Sequence, residues 1–205
     1  MIKNSRCQAR LAIRFEIEHK LIRSRLERIR IIFEERIVPS FEEDEKYLER
    51  QLKTKTANED DYAELEALKS DLTEVSNLYC VAIWNIVESH LKMIGKHLDN
   101  KWGNKWNKWD TIKDCYKDRG IDLTCLQKYR ETNILHLINN CIKHTDSIVS
   151  EQLESADSKS FKRLVERKKQ KIQMKPEEIL SYIKNAELFL YAVIEIMEAK
   201  FQLMP

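Results

Sequence analysis

An all-α fold, an antiparallel helical bundle opening on a long N-terminal helix pair, is predicted by three features of this 205-residue sequence. Only 3 Gly and 3 Pro punctuate the chain, too few for the turns of a β architecture. Charged residues make up 34%, as expected of helices with solvated faces. Apolar residues recur at steps of three and four over long stretches, the period of an amphipathic helix. The length suits a single domain over 1–205 with a sizeable core. Charged N-terminal helices occupy 1–60 and the main body 61–203.

The first helix is predicted over 10–36, on a narrow stripe of Ile22, Leu26, Ile29 and Phe33. Pro39 ends or kinks it, because proline has no N–H to give and its ring crowds the preceding turn. A highly charged helix follows over 41–56, with Tyr47, Leu48 and Leu52 as its apolar anchors. The run Asn58-Glu59-Asp60-Asp61 offers a break and an N-cap. Over 61–98, Leu65, Leu68, Leu72, Val75, Tyr79, Ala82, Ile86, Ser89 and Met93 step by three and four. That predicts a helix of about 35 residues, roughly 50 Å long, antiparallel to the first, with one end projecting toward another subunit.

Residues 99–109 alternate Trp102, Trp106 and Trp109 with Lys101, Lys105 and Lys108. The three indoles share a helical face, which reads as core or dimer packing. The alternative is a stacking and charge platform for single-stranded nucleic acid. A short helix over 106–119 closes at Gly120, a C-cap position. The central helix runs from Tyr129, and 150–160 is polar without a clear period. Residues 161–175 hold seven Lys/Arg against one acid, Glu166. Such a run is either a solvated segment or a place for a phosphate backbone, with Arg163, Arg167, Lys168, Lys169 and Lys171 as the contacts. Pro176 suits the first turn of the last helix, with Glu177 and Glu178 beside its positive dipole end. Ile179, Ile183, Ala186, Leu190, Val193, Ile194, Met197 and Phe201 give that helix a broad apolar face.

Net charge is +2, so overall balance names no partner. Its distribution is uneven: residues 1–30 carry nine Lys/Arg against three acids, and 34–49 is acidic. Five widely spaced cysteines without a C-x-x-C suggest neither a disulfide framework nor a metal centre, and no cofactor is expected. Free thiols fit a reducing, cytoplasmic setting. No signal-like segment and no apolar run near the roughly 20 residues of a membrane span is read, so no membrane association is expected. Three scattered glycines form no phosphate loop, and H-E-x-x-H is absent. His90 and His97, seven apart, are too distant along the helix for one metal site and read as surface or core histidines.

The concentrated polar chemistry lies at 129–150, YRETNILHLINNCIKHTDSIVS. Ile134, Leu137, Ile138, Cys141 and Ile142 make one helical face. Asn139, Asn140, Lys143 and His144 crowd its last turn and a half, and Thr145-Asp146-Ser147 end it. The negative end of a helix dipole attracts cations, so this is a fitting place for a proton donor or a phosphate contact. The run INNCIKHTD at the end of an amphipathic helix resembles the signature region of the HEPN superfamily (higher eukaryotes and prokaryotes nucleotide-binding domains), most clearly over 61–203. The order of helices resembles that superfamily as well.

The resemblance implies a HEPN-like bundle and a homodimer that brings two motifs into one cleft. It also implies a metal-independent endoribonuclease, as in RNA-directed effectors of defence or toxin–antitoxin systems. RNA and a cognate antitoxin or larger assembly are the further partners implied. In the family's motif an Arg and a polar residue precede a His by a few positions. Carried onto this chain, His144 matches the His and Asn140 the polar residue, while Asn139 stands where the Arg belongs. Neutral Asn lacks the fixed charge and forked donor of Arg; Lys143 is the nearest cation. Arg130 and His136 satisfy the spacing two turns earlier and rank second. The implied reaction is attack of a ribose 2′-hydroxyl on the adjacent phosphate. A His moves the proton, help worth roughly 100- to 10,000-fold, and positive charge stabilises the phosphorane-like state. A non-catalytic helical module that dimerises or docks onto a larger assembly is the alternative.

Overall fold

The computed structural model describes residues 2–54, 58–98, 108–144, 148–156 and 171–201, with side chains from residue 7 onward and excluding that of residue 98. The described chain is helical, and its one β feature is an isolated antiparallel bridge between Ile148 and Lys171. Helix α1 spans Ile2–Ile32, α2 Val38–Leu52, α3 Glu59–Leu98, α4 Trp109–Lys117, α5 Tyr129–His144, α6 Glu151–Ala156 and α7 Pro176–Lys200. No described helix is long and apolar enough to cross a membrane.

Local chemistry sets many of the ends. Pro39 does not end the helical run, which continues through it. A π turn, Phe33–Ile37, joins α1 to α2, and Val38 donates its N–H to the Phe33 carbonyl five residues back. Widening the helix by one residue just before the proline lets the chain stay helical past it. Asn58 and Asp61 cap α3 reciprocally: each backbone N–H donates to the other's side chain, at 2.9 and 3.1 Å. Gly120 ends α4 at φ +71°, a left-handed conformation easy only for glycine. Its N–H donates to the Lys117 carbonyl and that of Ile121 to Tyr116, which is a Schellman closure. Lys175 precedes Pro176, and its N–H donates to the Glu178 carboxylate at 2.9 Å. Ser150 caps α6 by accepting from the Leu153 N–H. That short helix was not read from the sequence, because six residues show no period; the serine before Glu151 was its one signal.

The chain forms two compact units, each assembled from separate stretches. The first comprises Met1–Leu26, Ile83–Asn133 and Ile183–Pro205. Within it α1 and α3 run antiparallel: Phe15 meets His97 edge-on at 6.2 Å, and Arg25 donates to Ser89 at 3.3 Å. α7 lies against α1 through a stacked His19–Tyr191 pair at 4.1 Å. α4 closes on α3 through Trp109 edge-on to Trp84 and through the Tyr116 hydroxyl, which donates to the Leu91 carbonyl. Phe15, Ile22, Leu91, Ile94, Phe189 and Val193 are fully buried in this core.

The second unit comprises Glu27–Ala82 and Ile134–Tyr182. Phe33 packs on Tyr79 at 4.5 Å, and Cys80, Ile138, Cys141, Leu153 and Ile179 fill its interior. Burial pushes the Cys80 thiol upward, helped by the Glu178 carboxylate, so this cysteine is an inert apolar filler.

The buried face of α3 differs from the expected stripe. Beyond Leu72 the buried positions include Ser76, Cys80, Ile83, Val87, His90 and Ile94, each one residue on from Val75, Tyr79, Ala82, Ile86, Ser89 and Met93, together with Asn77, Trp84 and Leu91 beside them. Met93 is exposed. The true face carries Ser76 and His90, and an all-apolar template passes over polar residues that the core accepts.

Candidate functional site

α5 presents its polar residues on two sides. Five residues of helix turn the chain by about 140°, so Asn139 and His144 cannot share a face. Asn139 is 3% exposed, while Lys143 and His144 are exposed. Asn139 Nδ2 donates to Asn140 Oδ1 at 3.4 Å, and Asn140 Nδ2 donates to His136 Nε2 at 3.0 Å. Asn139 Oδ1 is buried with no hydrogen-bond partner among the described residues. The structure therefore links Asn139, Asn140 and His136 in one chain of hydrogen bonds along the helix. Lys143 and His144 stand at its exposed end. Arg130 is exposed near the opposite end of α5 and about 120° around the helix from the half-buried His136.

Lys171 is exposed beside the Ile148 bridge. Arg163, Arg167, Lys168 and Lys169 lie outside the described residues, as do Trp102 and Trp106. Trp109 is core: it is 5% exposed, and its Nε1 donates to Asn133 Oδ1 at 2.9 Å.

A cleft of about 890 Å³ opens in the second unit between α3, the end of α5 and the bridged segments. Lys69, Thr73 and Asn77 line one wall and Ile142, Ile148 and Lys171 the other. Asn77 Nδ2 donates to the Ile172 carbonyl at 3.1 Å, tying the bridged segment to α3. Lys69 is engaged by Glu66 at 3.6 Å and Glu45 at 4.0 Å, leaving Lys171, across from it, as the less encumbered cation of the cleft.

The most buried cluster of titratable groups is elsewhere and was not read from the sequence. In the first unit, Glu18 of α1 is 2% exposed. One carboxylate oxygen is 2.7 Å from His90 Nδ1 and the other 3.1 Å from His97 Nε2. Burial pushes this carboxyl upward, but hydrogen bonds and positive charge from the two imidazoles outweigh it and hold it down at about 2. A carboxylate only accepts, so both ring nitrogens donate. The two histidines seven residues apart on α3 are thus brought together by a third residue on another helix. The signal was a lone acid, Glu18, within the apolar spacing of Phe15, Ile22 and Leu26. Among the described residues no group of His, Cys, Asp and Glu is placed to hold a metal ion.

No family model, curated protein or solved structure matches the chain.

Proposed function

We propose that the chain is an RNA-directed, HEPN-like effector module that grips the phosphate backbone at the C-terminal end of α5. The observation that carries this reading is the exposure of Lys143 and His144 together on the last helical turn. The adjoining polar cleft, with Lys171 on its wall, supports the reading as a path for the strand. Lys143 supplies the positive charge and His144 a ring that can donate to a phosphate oxygen. Cleavage would require the same two groups, His144 moving the proton and Lys143 facing the charged phosphate.

The test is binding of a labelled single-stranded RNA in EDTA over a series of salt concentrations. Lys143→Ala with His144→Ala is expected to weaken binding about tenfold and to flatten the salt dependence by one to two phosphate contacts. Unchanged affinity and slope overturn the reading. RNA cleavage in EDTA that disappears in His144→Ala extends it to catalysis.

A second reading, a non-catalytic module that dimerises or docks, is favoured by the position of Asn139. The residue where the motif Arg belongs is turned inward and bonded to Asn140. Asn139→Arg is accordingly expected to place a guanidinium in the interior and destabilise the protein by about 2 kcal/mol, with no ribonuclease gained. A thermal midpoint equal to the parent's, or new RNA cleavage, contradicts that expectation.

A further inference from the structure

The outward face of α1 carries the feature that neither the core nor the α5 site uses. Ile13, Ile17 and Leu21 are 57%, 50% and 44% exposed. Their spacing of four sets them one above the other on a single stripe about two turns long. The opposite face is fixed in the first unit's core by Phe15 and Ile22, both 0% exposed, so α1 cannot turn to hide the stripe. No described element covers it.

One border of the stripe is cationic. Arg10, Arg14 and Lys20 are exposed around it. Glu16 neutralises Lys20 through an ion pair at 2.7 Å. Arg10 and Arg14 form no ion pair among the described residues. A surface of this make-up suits one kind of occupant better than others. A second copy of the same face is disfavoured: it brings two more arginines unpaired among the described residues, Arg10 and Arg14, and its one exposed bordering acid, Glu16, is already held by Lys20. A lipid surface rewards a broad apolar face lying flat, whereas three side chains in single file match the groove of one helix. We infer that this face of α1 docks an amphipathic helix of a partner protein, one with an aliphatic stripe bordered by Asp or Glu. Apolar contact along Ile13, Ile17 and Leu21 supplies the attraction, and Arg10 and Arg14 select the acidic border. The inference is independent of the RNA reading, since it concerns another helix face.

The experiment uses the full chain and a designed helical peptide of about 20 residues, Leu at its stripe and Glu on both borders. A twin peptide carries Lys in place of Glu, and binding is read by fluorescence anisotropy. The Glu peptide is expected to bind at least tenfold tighter than its twin. Ile17→Ser should reduce that binding at least tenfold, and Arg10→Glu with Arg14→Glu should reverse the preference toward the Lys twin. All three residues are exposed, so circular dichroism should show unchanged helicity in each variant. Failure of the Glu peptide to bind, equal binding of the twins, or a preference unmoved by the charge reversal overturns the inference. So does light scattering that shows a dimer lost in Ile17→Ser, which assigns the face to a second copy. Binding to vesicles of anionic lipid in place of the peptide, lost in the same variant, assigns it to a membrane and likewise overturns it.

Discussion

Glu18→Gln is expected to destabilise the protein by about 3 kcal/mol at neutral pH, and the loss should vanish in acid. The magnitude follows from a carboxyl held at about 2 against an ordinary value of 4.5, at roughly 1.4 kcal/mol per unit. The group is 2% exposed, so solvent screens little of it. Gln keeps the shape and part of the hydrogen bonding but removes the charge that His90 and His97 face.

The sign is fixed by linkage. The folded value lies below the unfolded one, so the carboxylate's contribution is fully present above about 4.5 and is lost as pH falls toward about 2. Urea unfolding of parent and variant at a series of pH values measures it. The gap should be widest at pH 6–7 and close by about pH 2. A gap of constant size across that range would mean that Glu18 acts by packing and not by charge. Breaking a buried pair from one side leaves the partners without their charge, which is why this change should rank among the most damaging single substitutions available.

Trp109→Ala is the second large effect, about 3–5 kcal/mol. The indole is 5% exposed, edge-on to Trp84 at 5.2 Å and stacked toward Tyr129 at 6.2 Å. Removing it empties the aromatic contact between α4 and α3, leaving the Tyr116–Leu91 bond, and takes away the donor to Asn133 Oδ1. Trp109→Phe separates the two contributions. It keeps a ring in the space and loses the N–H, so it should cost about 1–2 kcal/mol. Chemical denaturation of both variants gives the comparison. If Trp109→Ala costs under about 1 kcal/mol, α4 is not part of the cooperative core. The outcome also bears on the tryptophan run: Trp109 packs inside, as the shared helical face allowed, and is not offered to nucleic-acid bases.

The candidate site at α5 was legible to different depths. That a polar knot ends an amphipathic helix at His144 follows from the order of residues, and Lys143 and His144 are exposed there as a helix terminus requires. Which of the knot's members face inward did not follow. Asn139 is as polar as Asn140, and nothing local says that one of two adjacent amides is buried while the other reaches back to His136. The stripe on α3 failed for the same reason. Ser76 and His90 belong to the buried face because neighbouring helices cover them, not because of their own hydropathy.

Much of what interactions within a few residues govern was legible in the sequence itself. The all-helical class, the reciprocal cap of Asn58 and Asp61, the Gly120 terminus and the start at Pro176 rest on backbone geometry and on hydrogen bonds between near neighbours. Only the tertiary structure decided which face each helix turns inward. Glu18 meets partners 72 and 79 residues away, and Ile13, Ile17 and Leu21 are left exposed by the described residues although their spacing equals that of a core stripe. A helical period fixes which residues share a side; which side is buried depends on helices that arrive from distant parts of the chain.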